Sequence, residues 1–316
     1  MTALDKRLST PIVWLVLVTM PYWMDAVGGY TELAIRVVVL GLAAMALNFL
    51  LGFTGVLSFG HAAYFGLGAY GAAMTIKYLV PSTALSIVAG VIVVTLAAAL
   101  IGALIVKLRG TYFAMVTIAF GQVFYFIVFR WNSVTGGDDG ITGWSRQPLD
   151  LGFTTIDILK DDKAFYFFVL ALFAVAVGSM ALLLRSPLGR TLVAIRENER
   201  RARFLGIPVE QHIWLSFVIS GAFAALAGTL YALLSNFTDP RSLHWTVSGN
   251  FVIMAVLGGM RSFWGPLVGA AIFVVLQDYV SSHTENWMSF IGLFFVLVVT
   301  FFPRGIMGIV KRRVGA

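Results

Sequence analysis

RSPLGRTLVAIRENERRARFLGI, residues 185–207, carries six arginines and two glutamates between two long apolar runs. A segment this charged does not lie in hydrocarbon, whereas its flanks hold almost no ionisable residue. The chain therefore crosses a membrane before and after this stretch, and the arginine excess assigns the stretch to the cytoplasmic side. Pro187 suits the start of a helix, Leu188, Leu192 and Ile195 recur at helical spacing, and Gly206 with Pro208 two residues later supplies a stop. The polar residues Arg196, Glu197, Asn198, Glu199, Arg200 and Arg201 crowd the second half, which predicts a short helix on the membrane surface facing a soluble partner. Binding of anionic lipid headgroups would account for the arginines. It would not account for Glu197, Glu199 or the glycine stop.

Composition extends this reading to the whole chain. With 316 residues, 59% hydrophobic, 12% charged and a mean hydropathy of +0.90, the chain has too little polar cover for a soluble globule. Having no cysteine, it forms no disulfide, thiolate metal site or nucleophilic thiol. A hydrocarbon core of about 30 Å needs roughly 17–25 apolar residues per helix. Runs of that kind lie near 12–27, 33–51, 60–78, 83–106, 113–131, 165–185, 213–234, 263–280 and 287–302, with a shorter one at 247–260. The expected fold is an all-α integral membrane protein of about ten membrane segments, some broken or short, forming one transmembrane domain over 1–316. The first run follows Lys6 and Arg7 and is closed by Asp25 with no cleavage pattern behind it, so it reads as a retained helix. With both the N- and C-termini cytoplasmic, fifteen of the 22 basic residues fall inside and eleven of the fifteen acidic residues outside. The net charge of +7 is thus a topology signal and does not indicate nucleic-acid binding.

Three stretches interrupt the lipid-compatible pattern. In NFLLGFTGVLSFGHAAYFGLGAYG, residues 48–71, six glycines fall within about one and a half helices, which predicts a break around 52–60 before the helix resumes. Irregular backbone at membrane depth survives only where protein or water satisfies it. Asn48, Gly52, Gly55, Ser58, Gly60 and His61 are therefore candidates for a translocation path, with the resumed helix offering unpaired N–H groups near Ser58 and His61 to a carboxylate or carbonyl oxygen. Close helix packing through Ala62/Gly66 and Gly68/Ala72 explains the same glycines equally well. The second stretch, LGGMRSFWGPLVGA at 257–270, reads as a helical hairpin with Gly265 and Gly269 on one small-residue face. The third is an outer loop over 131–164 containing VTGGDDGITG, where Gly136, Gly137, Asp138, Asp139 and Gly140 suit contact with another protein. Residues 149–158 alternate as a short strand would, and the aspartates lack calcium-loop spacing.

Enzyme signatures are absent. There is no phosphate loop, no H-E-x-x-H and no G-x-S-x-G, and the four histidines His61, His212, His244 and His283 lie in separate segments, so neither a catalytic nor a metal site is expected. A secondary transporter would place paired ionisable groups in mid-membrane. Here Glu32, Arg36 and Asp278 all sit near the outer boundary.

LSFGHAAYFGLGAY at 57–70, RGTYFAMVTIAF at 109–120, TGGDDGITG at 135–143, SPLGRTLVAIRENERRARFLGI at 186–207, VLGGMRSFWGPLVGAA at 256–271 and FFPRGIMG at 301–308 together resemble the permease subunits of branched-chain amino acid ABC importers, of the LivM type. The resemblance implies a bacterial inner-membrane, multi-pass subunit that moves branched-chain or related amino acids. It also implies a second, LivH-type permease, two cytoplasmic ATPases, a periplasmic solute-binding protein and surrounding lipid. ATP and Mg would then belong to the ATPases, with no cofactor in this chain. By resemblance 186–207 is the coupling-helix region, with Gly189, Arg190, Arg196, Glu197, Asn198, Glu199 and Gly206 meeting the ATPase, and 131–164 is a periplasmic loop. Arg200, Arg201, Met260 and Arg261 depart from the family's usual small or glycine residues, and family relatives also carry urea, amides, aromatic acids or dicarboxylic acids.

Overall fold

The computed structural model describes residues 3–24, 29–150, 155–156, 161–302 and 305–308. Asp25, Asp157, Lys160, Arg304, Lys311, Arg312 and Arg313, all used above to orient the chain, lie outside the described residues.

Each apolar run of the sequence falls on a helix. The first is α1 (Ala3–Trp23), followed by α2 (Thr31–Asn48), which runs on as a wider π-helical turn, Phe49–Thr54. After the break come α3 (His61–Met74), with its own π turn to Leu79, then α4 (Thr83–Ile105) and α5 (Gly110–Arg130). The outer loop holds the one-turn α6 (Asn132–Thr135) and two short strands, β1 (Leu149–Asp150) and β2 (Thr155–Ile156), paired antiparallel with Leu149 opposite Ile156. Where one strand was expected over 149–158, the described residues there form two short paired strands. Next are α7 (Asp162–Arg185), α8 (Pro187–Glu197), α9 (Glu199–Phe204) and α10 (Val209–Ser235). The chain closes with α11 (Trp245–Gly258), α12 (Gly265–Ser281) and α13 (Trp287–Phe301). Among the described residues, six helical segments are long and apolar enough to cross a membrane, and α1, α11 and α12 contribute shorter apolar helices. The chain is therefore a helical, multi-pass membrane protein.

At the centre stands α2, packed by α7, α10, α11 and α12 and buried along nearly its whole length. Beside it α10 packs on α3 and α4. These contacts are close because small residues let the backbones approach, which in lipid replaces the hydrophobic drive of water. A Cβ at Gly228 of α10 would stand 1.8 Å from the Phe65 carbonyl oxygen of α3, and one at Gly269 of α12 would stand 1.8 Å from the Met254 carbonyl oxygen of α11. The expected hairpin over 257–270 is therefore present, with Gly265 and Gly269 as its contact face.

Polar residues sort to the two ends of the bundle. At one end Arg109, Arg196, Glu199, Arg203 and Glu210 gather, with the Met260 carbonyl against Gly52. At the other, Tyr30 donates to Asp278 at 2.7 Å, Lys77 to the Thr142 carbonyl at 2.9 Å and Thr83 to the Gln147 carbonyl at 2.7 Å.

Overpacking a close contact costs about 1–3 kcal/mol. Gly269→Val is thus expected to lower the melting midpoint of the detergent-purified protein, read by fluorescence-detected size exclusion after heating. Gly178→Val, whose added Cβ meets nothing within 4 Å, is expected to leave it unchanged. Equal midpoints would refute the close α11–α12 approach.

Candidate functional site

Between Thr54 and His61 the chain leaves helical geometry inside the protein, as the glycine spacing predicts. Gly55 takes a left-handed conformation with φ of 82°, which ends the π turn and swings the chain aside. The freed groups find partners one by one. The Phe59 N–H donates to the Thr117 hydroxyl at 3.1 Å and the Ala62 N–H to the Ser248 hydroxyl at 2.7 Å. Thr54 and Ser216 share a hydroxyl–hydroxyl bond of 2.6 Å. His61 is fully buried, with Nδ1 3.0 Å from the Ser58 hydroxyl and Nε2 2.6 Å from the Ser220 hydroxyl, which in turn donates to the Ala46 carbonyl.

This geometry corrects one expectation. The first turn of α3 does not offer Ala62 as a free donor, because Ser248 already occupies it. Ser58 and His61 are fully buried and bonded to each other, and Asn48 is 1% exposed with its side-chain oxygen unpartnered. Gly52 faces that oxygen and the Met260 carbonyl so closely that a Cβ would stand 2.4 and 2.2 Å from them. Gly60 is equally confined by the Thr117 carbonyl, at 2.7 Å. Of the six path candidates, Gly55 alone is exposed.

The charged stretch is also rebuilt. It forms two helices where one was expected, because Asn198 adopts an extended conformation and its side-chain oxygen accepts the Arg201 N–H at 2.9 Å, capping α9. Pro187 opens α8 and Gly206, with φ of 79°, turns the chain after α9, as predicted. Gly189 lets α8 fold back on the end of α7, since a Cβ there would stand 2.4 Å from the Leu184 carbonyl oxygen. Leu192, Ile195 and Ala202 face inward, while Arg190, Glu197, Asn198, Arg200, Arg201 and Arg203 face out.

Glu199 does not pair with Arg196. It receives two bonds from Arg109 Nε, at 2.8 and 3.0 Å, and two from Arg203, at 2.8 and 3.3 Å, while Arg203 also reaches Glu210 at 2.5 Å. Arg196 instead donates to the Gly52 carbonyl of the break and to Glu197. Arg109 and Glu210 thus join the site although the charged stretch does not contain them; the one sequence signal was that both fall on the same side of the membrane. Burial works against the Glu199 charge, but the bonds from Arg203 and Arg109 outweigh it and hold the carboxylate below its ordinary range. Bonds from Glu199 and Glu210 raise Arg203 in turn.

In the outer loop Gly136, Gly137 and Gly140 all have positive φ, and a Cβ at Gly140 would stand 2.2 Å from the Thr238 carbonyl oxygen. There the loop is pinned by a bridge between Ile141 and Thr238. The turn leaves Asp138 and Asp139 exposed and without an ion pair among the described residues. No group of three or more metal-ligating side chains occurs among the described residues.

Because the folded Glu199 pKa is depressed, its stabilising effect is fully present above the unfolded glutamate value of about 4.3 and is lost as pH falls through the folded value. Hydrogen exchange of the 199–206 amides, corrected for its intrinsic pH dependence, should therefore stay slow as pH falls to that unfolded value and accelerate only below it. Acceleration beginning above it, or none at all, would show that the network does not hold α9.

A family model described as the permease component of branched-chain amino acid transport systems matches residues 29–299. The high-affinity branched-chain amino acid transport system permease protein LivM of Salmonella typhimurium is 27% identical, over 97% of this chain and 76% of that protein. Its counterpart in Escherichia coli is 28% identical over 88% of this chain and 70% of that protein. LivH of Salmonella typhimurium is 34% identical over 39% of this chain and 40% of its own length. No solved structure matches. A match across most of the chain, on a helical membrane fold, places this protein in the branched-chain amino acid transport permease family, as a membrane permease subunit.

Proposed function

We propose that this chain is one of two permease subunits in an ABC importer of the bacterial inner membrane that takes up branched-chain or related amino acids. Its companions are a LivH-type permease, two cytoplasmic ATPases that hold ATP and Mg, and a periplasmic solute-binding protein. The observation that carries this reading is the α8–α9 unit. It is braced from within by Arg109, Glu199, Arg203 and Glu210, yet it leaves Phe204 91% and Leu205 74% exposed among arginines. A bare apolar pair set in positive charge suits a groove in a soluble partner. Closure of the ATPases would push α9, and Arg196 would carry that push to the Gly52 carbonyl of the break. The break then lies beside the path, and His61 fixes its shape without touching the solute.

Replacing Glu199 and Arg196 together by alanine is expected to abolish uptake and ATPase stimulation while membrane insertion continues. Normal transport by that variant, with its ATPase still bound, would refute the coupling role. The outer loop, with Asp138 and Asp139 offered on a rigid turn, is proposed to meet basic residues of the binding protein. Such attraction weakens over a Debye length of about 8–10 Å at physiological salt. Neutralising both to asparagine should therefore reduce receptor-stimulated ATP hydrolysis more at low than at high ionic strength. An equal response at both would make the loop purely structural.

A further inference from the structure

None of the roles above uses a cavity of about 140 Å³ at the outer end of the bundle, lined by Arg36, Leu40, Tyr231, Val274, Gln277 and Asp278. The cavity lies between α2, α10 and α12. Beyond its first residue, α2 is buried except at Glu32, Arg36 and Leu40, which follow one another at four-residue spacing and so form a single open stripe. Arg36 begins about 7 Å into the helix. Its guanidinium makes no ion pair or hydrogen bond among the described residues. Exposed near the outer boundary, that cation is open to a ligand of negative charge.

Opposite it, Asp278 accepts the Tyr30 hydroxyl through Oδ1 at 2.7 Å, and its Oδ2 has no bond among the described residues. The two charges border one cavity without pairing with each other. The apolar Leu40 and Val274 and the amide of Gln277 line the same cavity. A guanidinium binds a carboxylate through two parallel bonds, and a carboxylate binds an ammonium. We infer that this cavity binds a free α-amino acid as its zwitterion, the carboxylate on Arg36, the ammonium on Asp278 and an apolar side chain against Leu40 and Val274. The inference rests on the importer reading and names a place where solute arriving from the outer side would first lodge in this chain. An ethanolamine phospholipid headgroup carries the same two charges, so the test separates the two sources.

The complex of this chain with its companion permease and ATPases, without binding protein, would be placed in phosphatidylglycerol nanodiscs and titrated with radiolabelled L-leucine. Wild type is expected to bind it, with Arg36→Gln and Asp278→Asn each weakening binding at least about tenfold and Arg36→Lys weakening it less. 4-Methylpentanoate and 3-methylbutylamine, each lacking one of the two charges, are expected not to compete. Val274→Trp, which fills the cavity and leaves both charges in place, should also abolish binding while the size-exclusion profile stays that of wild type. Wild-type affinity in Arg36→Gln and Asp278→Asn would overturn the site. So would an absence of leucine binding together with phosphatidylethanolamine that co-purifies with wild type and is released by Arg36→Gln. A complete wild-type importer that takes up none of leucine, isoleucine and valine would overturn the functional reading itself, an outcome distinct from either.

Discussion

A backbone N–H or C=O without a partner at membrane depth costs several kcal/mol, and this chain breaks its helix there, over residues 55–60. The break persists because neighbouring elements close it. Thr117 of α5 holds Phe59, Ser248 of α11 holds Ala62, and Ser216 and Ser220 of α10 hold Thr54 and His61. Arg196 of α8 takes the Gly52 carbonyl. These bonds tie the break to four helices, α5, α8, α10 and α11, so the packing around α2 and the local backbone conformation depend on each other. A helix that shifted alone would leave a buried polar group open.

That dependence gives the charged end its mechanical meaning. Individually, half-exposed ion pairs are worth about 0–1 kcal/mol, so Arg109, Glu199, Arg203 and Glu210 do not hold the fold by energy alone. They set position. Arg109 directly precedes α5, the helix whose Thr117 supports the break, and it takes Glu199 of α9 in two bonds. Two bonded series therefore join the charged end to the break, one through α5 to Phe59 and one through Arg196 to the Gly52 carbonyl. Both end on the same backbone segment.

Much of this was legible in local sequence. Helices followed from apolar runs, the α11–α12 turn from Gly265 and Pro266, and the ends of the charged unit from Pro187 and Gly206, because each depends on residues within a few positions of one another. Asn198 could have been read as a cap, since a short polar side chain ahead of Glu199 competes with helix continuation, but the surrounding arginines hid it in a charge run. Partner identity was not legible. Glu199 has four arginines within five residues of it, and its bidentate partner lies 90 residues away. Nor does a sequence reveal that Ser58 and Ser220 occupy both ring nitrogens of His61.

The two ends of the bundle treat charge in opposite ways, and the contrast follows from what each must do. At the end bearing α8 and α9, acidic groups are shared between arginines, so the surface left over is cationic and apolar. At the other end Asp138, Asp139 and Arg36 have no ion pair among the described residues and stand on stiff supports, namely a triple-glycine turn pinned to Thr238 and a buried helix. Desolvating a charge is repaid only when a complementary charge arrives. Unpaired charges on rigid elements therefore stay open to a partner of opposite charge. An importer subunit needs both kinds of surface, and here they stand at opposite ends of the bundle.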